Sequence, residues 1–437
     1  MNPATASAHG TRFRWVVVAL LFLITVFNYV DRTAISYAVP IISREFGFDD
    51  RTVGLILGAF GIGYFVTTLI GGVSVDRFGS RRVLLIAALV WSAAIGGTAL
   101  AIGAVSLFLA RVLLGLAEGP NFPAMSRAIG DWLPPEERAT ALARSLVAIP
   151  LALAASAPIV TALLAWVGWR AMFAILAAAV LLWIPLWIWL YRDNPARSPH
   201  VDAAELEHIG AARSAARERG GAPALDWAAL RAVLANRTLF ANAWAFFVLG
   251  YFLFFFMSWL PDYLEKVFHL SLHAVGYFAF LPWFVAAACL WLFGSLSDRL
   301  LRRTGRLRIA RSRLIMLTQA GAALAVMPIA YAGNADLAIV LITLAVGLAM
   351  SANAVYFAVT IDVAPRYAGT ALGVMDAALA LAGVLAPSIT GYIVAITGTF
   401  AAAFWVLAML AASSVMLVYL LHHPDEDRIR DACVTDA

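Results

Sequence analysis

The chain has 437 residues, 63% of them hydrophobic and only 13% charged, with a formal net charge of +5. So few charges exclude an ordinary soluble domain, for which the share is about one quarter. The two cysteines, Cys289 and Cys433, give no disulfide framework. The positive charge calls for no nucleic-acid partner, because the basic residues have another explanation, given below.

Apolar windows of about 20 residues, the length that crosses a bilayer, recur twelve times. They lie near 14–38, 52–74, 83–103, 106–128, 139–165, 170–191, 239–261, 272–295, 313–333, 336–361, 367–396 and 400–421. The windows are continuous rather than alternating, so they predict helices and not a closed barrel. The expected fold class is an all-α membrane protein of twelve transmembrane helices. The opening "MNPATASAHGTRFRW" shows no small-residue cleavage site after a short apolar core, so no removable signal peptide is expected.

The first window contains "NYVDRTAISY", which places Asp31 and Arg32 side by side in a membrane helix. Each charge costs roughly 2.5–3.5 kcal/mol at the bilayer centre on insertion scales, so the pair needs a cause. The second window carries Tyr64 and ends in "GVSVDRFGSRR", with Asp76, Arg77 and Arg81. The fourth, "RVLLGLAEGPNFPAMSR", carries Arg111 and Glu118, two turns apart on one helix face. "DWLPPEERATALA" follows it. Residues 192–238 are the longest hydrophilic stretch; their Pro, Gly and Arg content reads as a linker with a short amphipathic helix in its middle.

The seventh window, "FFVLGYFLFFFMSWL", is aromatic and lacks Asn, Gln or charge. The eighth ends in "GSLSDRLLRRTGR", with Asp298 and Arg299, and the tenth leads into "DVAPRYAGTALG". These two stretches repeat the loops after the second and fourth windows: Asp131 and Pro134 match Asp362 and Pro365, and Thr-Ala-Leu follows in both. The chain therefore divides into residues 1–191, a central loop 192–238, and residues 239–437. Duplicated halves mark secondary transporters, with a substrate site near the midplane between them.

With the N-terminus assigned to the cytoplasm, Arg44, Arg51, Arg170 and Lys266 fall outside, Arg32 and Arg111 fall within helices, and the other 25 of the 31 Lys and Arg residues fall inside. This bias places both termini in the cytoplasm. All seven histidines (His9, His200, His208, His269, His273, His422 and His423) lie in tails, loops or span ends, so no mid-membrane imidazole is available for proton transfer.

Twelve spans, a central loop and "GxxxDRxGSRR" after the second span resemble the major facilitator superfamily over nearly the whole chain. Within it, "YVDR", "RVLLGLAEGPNFPAMSR" and "DWLPPEERATA" are similar to the anion:cation symporter family. The resemblance implies two six-helix halves and proton-driven uptake of an organic anion, such as a sugar acid or aromatic acid, across the inner membrane. It implies no enzyme activity, cofactor or metal. The expected partners are the anion, protons and the lipid bilayer, and the expected working unit is a monomer.

Depth, at about 1.5 Å per residue, puts Asp31 and Arg111 at one level in the outer half and Glu118 near the midplane. Adjacent helix residues point about 100° apart, so Asp31 and Arg32 cannot easily share one partner. The preferred arrangement pairs Asp31 with Arg111 and leaves Arg32 to meet an anion; the opposite assignment is also open. Proton coupling falls to carboxylates, with Glu118 as carrier and Asp31 as the acid that senses substrate through arginine. A buried ion-pair network that only packs helices is the structural alternative.

Asp376, near the midplane of the eleventh window, departs from the asparagine often found in the family. It suits a hydroxyl or a cationic group and makes a multiply charged anion less attractive. Tyr29, Tyr64, Asn353, Tyr356 and Trp259 are candidate walls, and the aromatic seventh window tilts the expectation toward an aromatic or less hydroxylated acid. Asp76, Arg77, Arg81, Asp298 and Arg299 are expected to form a cytoplasmic gate, whereas Asp362, matching Asp131, suits a helix-end role. The competing reading is a drug/proton antiporter of the same fold. The fifth window, "IPLALAASAPIV", has no glycine where such antiporters carry "GPxxGG", although "GVLAPSITG" in the eleventh is a partial match.

Overall fold

A computed structural model describes residues 11–217, 227–365 and 367–427. His9, Cys433 and the middle of the central loop lie outside the described residues. Among those described, the regular structure is helical throughout. The helices are α1 (Arg14–Phe46), α2 (Asp50–Phe78), α3 (Ser80–Ala99), α4 (Ala104–Glu118), α5 (Asn121–Trp132), α6 (Pro135–Leu146), α7 (Ala148–Leu190), α8 (Ala203–Arg217), α9 (Trp227–Ala235), α10 (Arg237–Phe268), α11 (Leu272–Thr304), α12 (Arg313–Val326), α13 (Ala335–Ser351), α14 (Asn353–Val363), α15 (Ala368–Thr397) and α16 (Ala401–Leu421).

Eleven apolar stretches among the described residues are long enough to cross a bilayer, and one of them, Thr140–Leu190, holds two expected windows. The chain turns within it at Gly168, whose φ of 75° only glycine adopts without strain. Just past that turn, Trp169 and Arg170 bond to Glu45 at the end of α1. Some twenty residues later Trp187 donates to the Arg81 carbonyl, at the opposite end of the bundle. Twelve crossings result, six in each half.

Three helix boundaries differ from the sequence reading, and all bear on the site. First, α1 does not stop near residue 38; it runs through Pro40 to Phe46 and ends on Gly47 in the left-handed region. Second, the fourth span breaks after Glu118, at Gly119–Pro120, where proline lacks the N–H that would continue the ladder. Third, the tenth span breaks at Ala352, immediately before Asn353. The two breaks fall at nearly equivalent places in the repeat and interrupt helices near mid-span, where broken helices of transporters supply polar groups.

The two halves meet along α2 and α15. A Cβ on Gly54 would lie 2.7 Å from the Pro387 carbonyl oxygen, and one on Gly61 would lie 2.5 Å from the Gly383 backbone, so only glycine permits this approach. The close contact belongs to the side holding the 47–49 loop, called the far side below. Toward the side holding both described chain ends, the tail side, there is no such contact at Gly72 of α2 or Gly373 of α15, where a Cβ would meet nothing within 4 Å. Ion pairs repeat the asymmetry. On the far side Arg44 of α1 pairs with Glu265 of α10 at 3.1 Å, and Lys266 of α10 bridges Asp50 of α2 and Asp262. Both contacts join one half to the other.

Candidate functional site: a buried charge cluster in the first half

Four charged side chains gather where α1 crosses α4, and all are almost wholly buried: Asp31 (3% exposed), Arg32 (2%), Arg111 (4%) and Glu118 (0%). The Arg32 guanidinium donates to one Glu118 oxygen through Nη2 at 2.9 Å and Nε at 3.2 Å. Its Nη2 also donates to Asn28 Oδ1, one turn earlier on α1, at 3.0 Å. Three rings enclose it: Tyr29, Phe60 and Tyr64 lie 4.7, 4.5 and 4.9 Å from its Cζ. A guanidinium desolvated against aromatic faces gains cation–π stabilisation, which offsets part of the cost of burying the charge.

Asp31 points elsewhere. Its Oδ2 accepts from the indole N–H of Trp91 on α3 at 3.0 Å, and it forms no ion pair with the described residues. Arg111 has no carboxylate partner among them either. Its Nη1 reaches only the Arg32 carbonyl at 3.5 Å, its Nε is unpartnered, and its plane lies over Phe60. The expected Asp31–Arg111 pair with a free Arg32 is therefore corrected: Arg32 is the paired arginine, Glu118 is its partner, and Arg111 is the cation with no ion pair among the described residues.

The length of α1 explains the difference. Counted from its true end at Phe46, Asp31 lies 15 residues down, or about 22 Å. Glu118 lies 14 residues down α4 from its start at Ala104, at nearly the same depth, whereas Arg111 sits about two turns nearer the far side. Ending α1 at residue 38 raises Asp31 to the wrong level.

Residues 21–375 match the family model described as "Major Facilitator Superfamily". The chain belongs to the major facilitator superfamily. A protein named probable sulfoacetate transporter SauU, from Cupriavidus necator, is 32% identical over 423 residues, covering 94% of this chain and 96% of the relative. The hexuronate transporter of Bacillus subtilis is 32% identical over 412 residues, covering 93% and 94%. A crystal structure of a bacterial homolog to the human lysosomal transporter Spinster, inward-facing and unoccupied, superposes with a TM-score of 0.79 at 19% identity, covering 97% of this chain and all of that one. This major facilitator chain is a membrane transporter and not an enzyme, and its curated relatives agree with the resemblance to the anion:cation symporters.

Of the other candidate residues, Tyr29 and Tyr64 are buried at the Arg32 cage. Asp376 of α15 is half-buried, has no hydrogen bond or ion pair with the described residues, and lies within electrostatic range of Tyr29 and Tyr64 across the boundary between the halves. Asn353 is half-buried at the start of α14 with its Oδ1 unpartnered. Trp259 and Tyr356 are committed to packing: the indole donates to the Pro387 carbonyl, and the phenol accepts from Gln319.

The structure does not bring the gate candidates of the two halves together. Arg127 pairs with both Asp76 and Asp131 within the first half, and Arg311 pairs with both Asp298 and Asp362 within the second. Arg81 donates its backbone N–H to Asp193 and its guanidinium to the Ile188 carbonyl, and Arg77 lies over Phe78. Among the described residues there is no cluster of His, Cys, Asp and Glu that could hold a metal.

Sequence reasoning passed over four site residues. Asn28 is legible in retrospect, four residues before Arg32 on the same helix face. Phe60 lies one turn from Tyr64 by the same rule. Trp91 carries no local signal, since only the placement of α3 against α4 and α7 brings its indole within reach of Asp31. Asn121, buried at the α4–α5 break with both amide atoms unpartnered, is signalled only by the Gly-Pro dipeptide before it.

Proposed function

We propose that the protein is a proton-coupled symporter that takes up an organic carboxylate across the inner membrane by alternating access. The observation that carries the reading is the buried Arg32–Glu118 pair at mid-span, beside an Arg111 that has no ion-pair partner among the described residues. A buried ion pair contributes little to stability, because desolvation offsets its attraction, so its persistence in a membrane favours a working role. Protonating Glu118 would dissolve the pair and release the Arg32 guanidinium. An incoming carboxylate could then take its place and be held by Arg32 and Arg111, with Tyr29 and Tyr64 moving aside. Loss of the anion would restore the pair as the proton leaves. Asp31, held by Trp91, is the second coupling acid.

The far-side contacts between α2 and α15, and the open space at Gly72 and Gly373 toward the tail side, fit a transporter closed to the outside and open toward the cytoplasm. That reading puts both chain ends in the cytoplasm, makes Asp76, Arg77, Arg81, Asp298 and Arg299 the gate that closes in the opposite state, and requires only one chain. It divides the chain at the central loop, 192–238. The names of the relatives, a sulfoacetate and a hexuronate transporter, support an acidic cargo. Two arginines in the cluster suit an anion better than the cationic drugs of an antiporter. Purified protein in liposomes with an acidic outside should accumulate an organic acid. If no acid on a panel of sugar acids, aromatic acids and short hydroxy acids is concentrated by the imposed gradient, the reading fails.

A further inference from the structure

We infer that the cargo is a dipolar monoanion, with one acid group at one end and a hydrogen-bond donor, hydroxyl or ammonium, at the other, and that Asp376 selects the donor end. The inference rests on the transport reading above and narrows its substrate class.

It starts from where the charges sit. Both arginines of the central region belong to the first half, where Asp31 and Glu118 balance them. Facing them from α15 is one further charge, Asp376, eight residues into a helix that starts at Ala368 and hence about 12 Å from its tail-side end. No described residue bonds to its carboxylate, so its acceptor capacity is unspent. Tyr29 and Tyr64 link it to Arg32: both rings pack on the Arg32 guanidinium, and both lie within electrostatic range of Asp376. A ligand lying along these tyrosines meets guanidinium at one end and carboxylate at the other.

The two ends of such a ligand are not interchangeable. An acid group belongs at the arginines. A second acid group at the far end would face the Asp376 carboxylate in a desolvated site, where like charges a few ångströms apart repel strongly. A hydroxyl or ammonium there would donate to Asp376 and complete it, and a site built to hydrogen-bond a polar group rejects analogues that leave it unpaired. Charge balance points the same way. With every group ionised, the four residues of the first half sum to zero and Asp376 leaves one negative charge. A monoanion raises this to two and a dianion to three, which is the full number of carboxylates in the cluster available to take protons.

The test uses two matched pairs of acids that differ only at the far end: gluconate against glucarate, and 4-hydroxybenzoate against terephthalate. Counterflow in proteoliposomes measures KM for each acid with the wild type, Asp376→Asn and Asp376→Glu. The wild type should favour the monoanion by about tenfold or more in each pair it carries. Asp376→Asn should remove most of that ratio while counterflow continues, and Asp376→Glu should keep it, so that a general packing defect is told apart from lost selection by charge. A wild type that takes the dianion as readily as its partner, or a ratio unchanged in Asp376→Asn, overturns the inference and leaves the transport reading standing. Failure of the wild type to exchange any of the four acids, or any acid on the wider panel, overturns both.

Discussion

On the proposed mechanism, Glu118→Gln isolates the coupling step. The amide keeps an oxygen that can accept from Arg32 but cannot take up or release a proton. In the native chain the pair is two hydrogen bonds, 2.9 and 3.2 Å, between side chains 2% and 0% exposed. Deleting one partner of so buried a pair costs about 3–5 kcal/mol, the expectation for Glu118→Ala, because the guanidinium is left uncompensated. Glutamine retains part of the contact, so the folded variant should survive purification. The functional effect is set by the gradient instead. One coupled proton across one pH unit supplies about 1.4 kcal/mol, or tenfold accumulation of the anion. Glu118→Gln should therefore lose about tenfold of steady-state accumulation per imposed pH unit while counterflow exchange at equal pH continues. The assay is labelled-acid uptake into proteoliposomes, with and without the gradient. A variant that accumulates as well as the wild type would remove Glu118 from the proton path, and one that loses accumulation and exchange together would make it a structural acid.

Three further outcomes follow from the geometry. Gly61→Val puts a branched side chain where even a Cβ would lie 2.5 Å from the α15 backbone, so far-side closure should be blocked; transport should fall below about one tenth of wild type, with increased labelling of far-side cysteines introduced into α2. On the tail side, a hydrogen bond from Arg14 holds the Glu137 carboxylate below the usual range. That contribution is complete above the carboxylate's unfolded pKa near 4.3 and is lost as pH falls through the lower folded value, so the melting temperature of the wild type should drop over that window and Arg14→Gln should flatten the dependence. Arg311→Ala should lower the melting temperature several degrees more than Arg127→Ala, since the Arg311 side chain is 8% exposed and that of Arg127 is 43% exposed and screened by solvent; equal losses would contradict this.

The span count, the two halves and the membership of Asp31, Arg32, Arg111 and Glu118 in one cluster are all legible in the sequence, because long apolar runs and charges within them leave few arrangements open. The pairing inside the cluster is not. It depends on depth, and depth depends on where α1 ends. Pro40 and the polar run Ser43-Arg44-Glu45 read as a terminus, but Arg44 finds Glu265 and Glu45 finds Arg170, so the far-side contacts extend the helix past its apolar stretch. Eight more residues are about 12 Å, enough to exchange one partner for another. Trp91 shows a different limit: a donor on another helix leaves no periodic trace, and its role exists only once α3, packed on α4 and α7, brings the indole to Asp31.

The duplication also separates what both halves need from what one half does. On the tail side each half sets a single arginine between two aspartates, one from the tail-side end of its second span and one from the end of its fourth. The aspartates match in the repeat, yet the arginine comes from α5 in the first half, as Arg127, and from the segment entering α12 in the second, as Arg311. The electrostatic arrangement is kept while its donor changes helix, as expected if holding two helix ends together is the requirement and any guanidinium within reach satisfies it. In the membrane centre the halves share no such arrangement. The first half carries two arginines and two acids, whereas the aromatic α10 presents no charge at the corresponding depth and α15 supplies only Asp376. A symmetric centre would offer a ligand two equal walls. This one sets two arginines with two acids on one side and a lone carboxylate on the other; on the proposed mechanism a bound molecule is held in one orientation, and the half that receives its acid end also carries the proton.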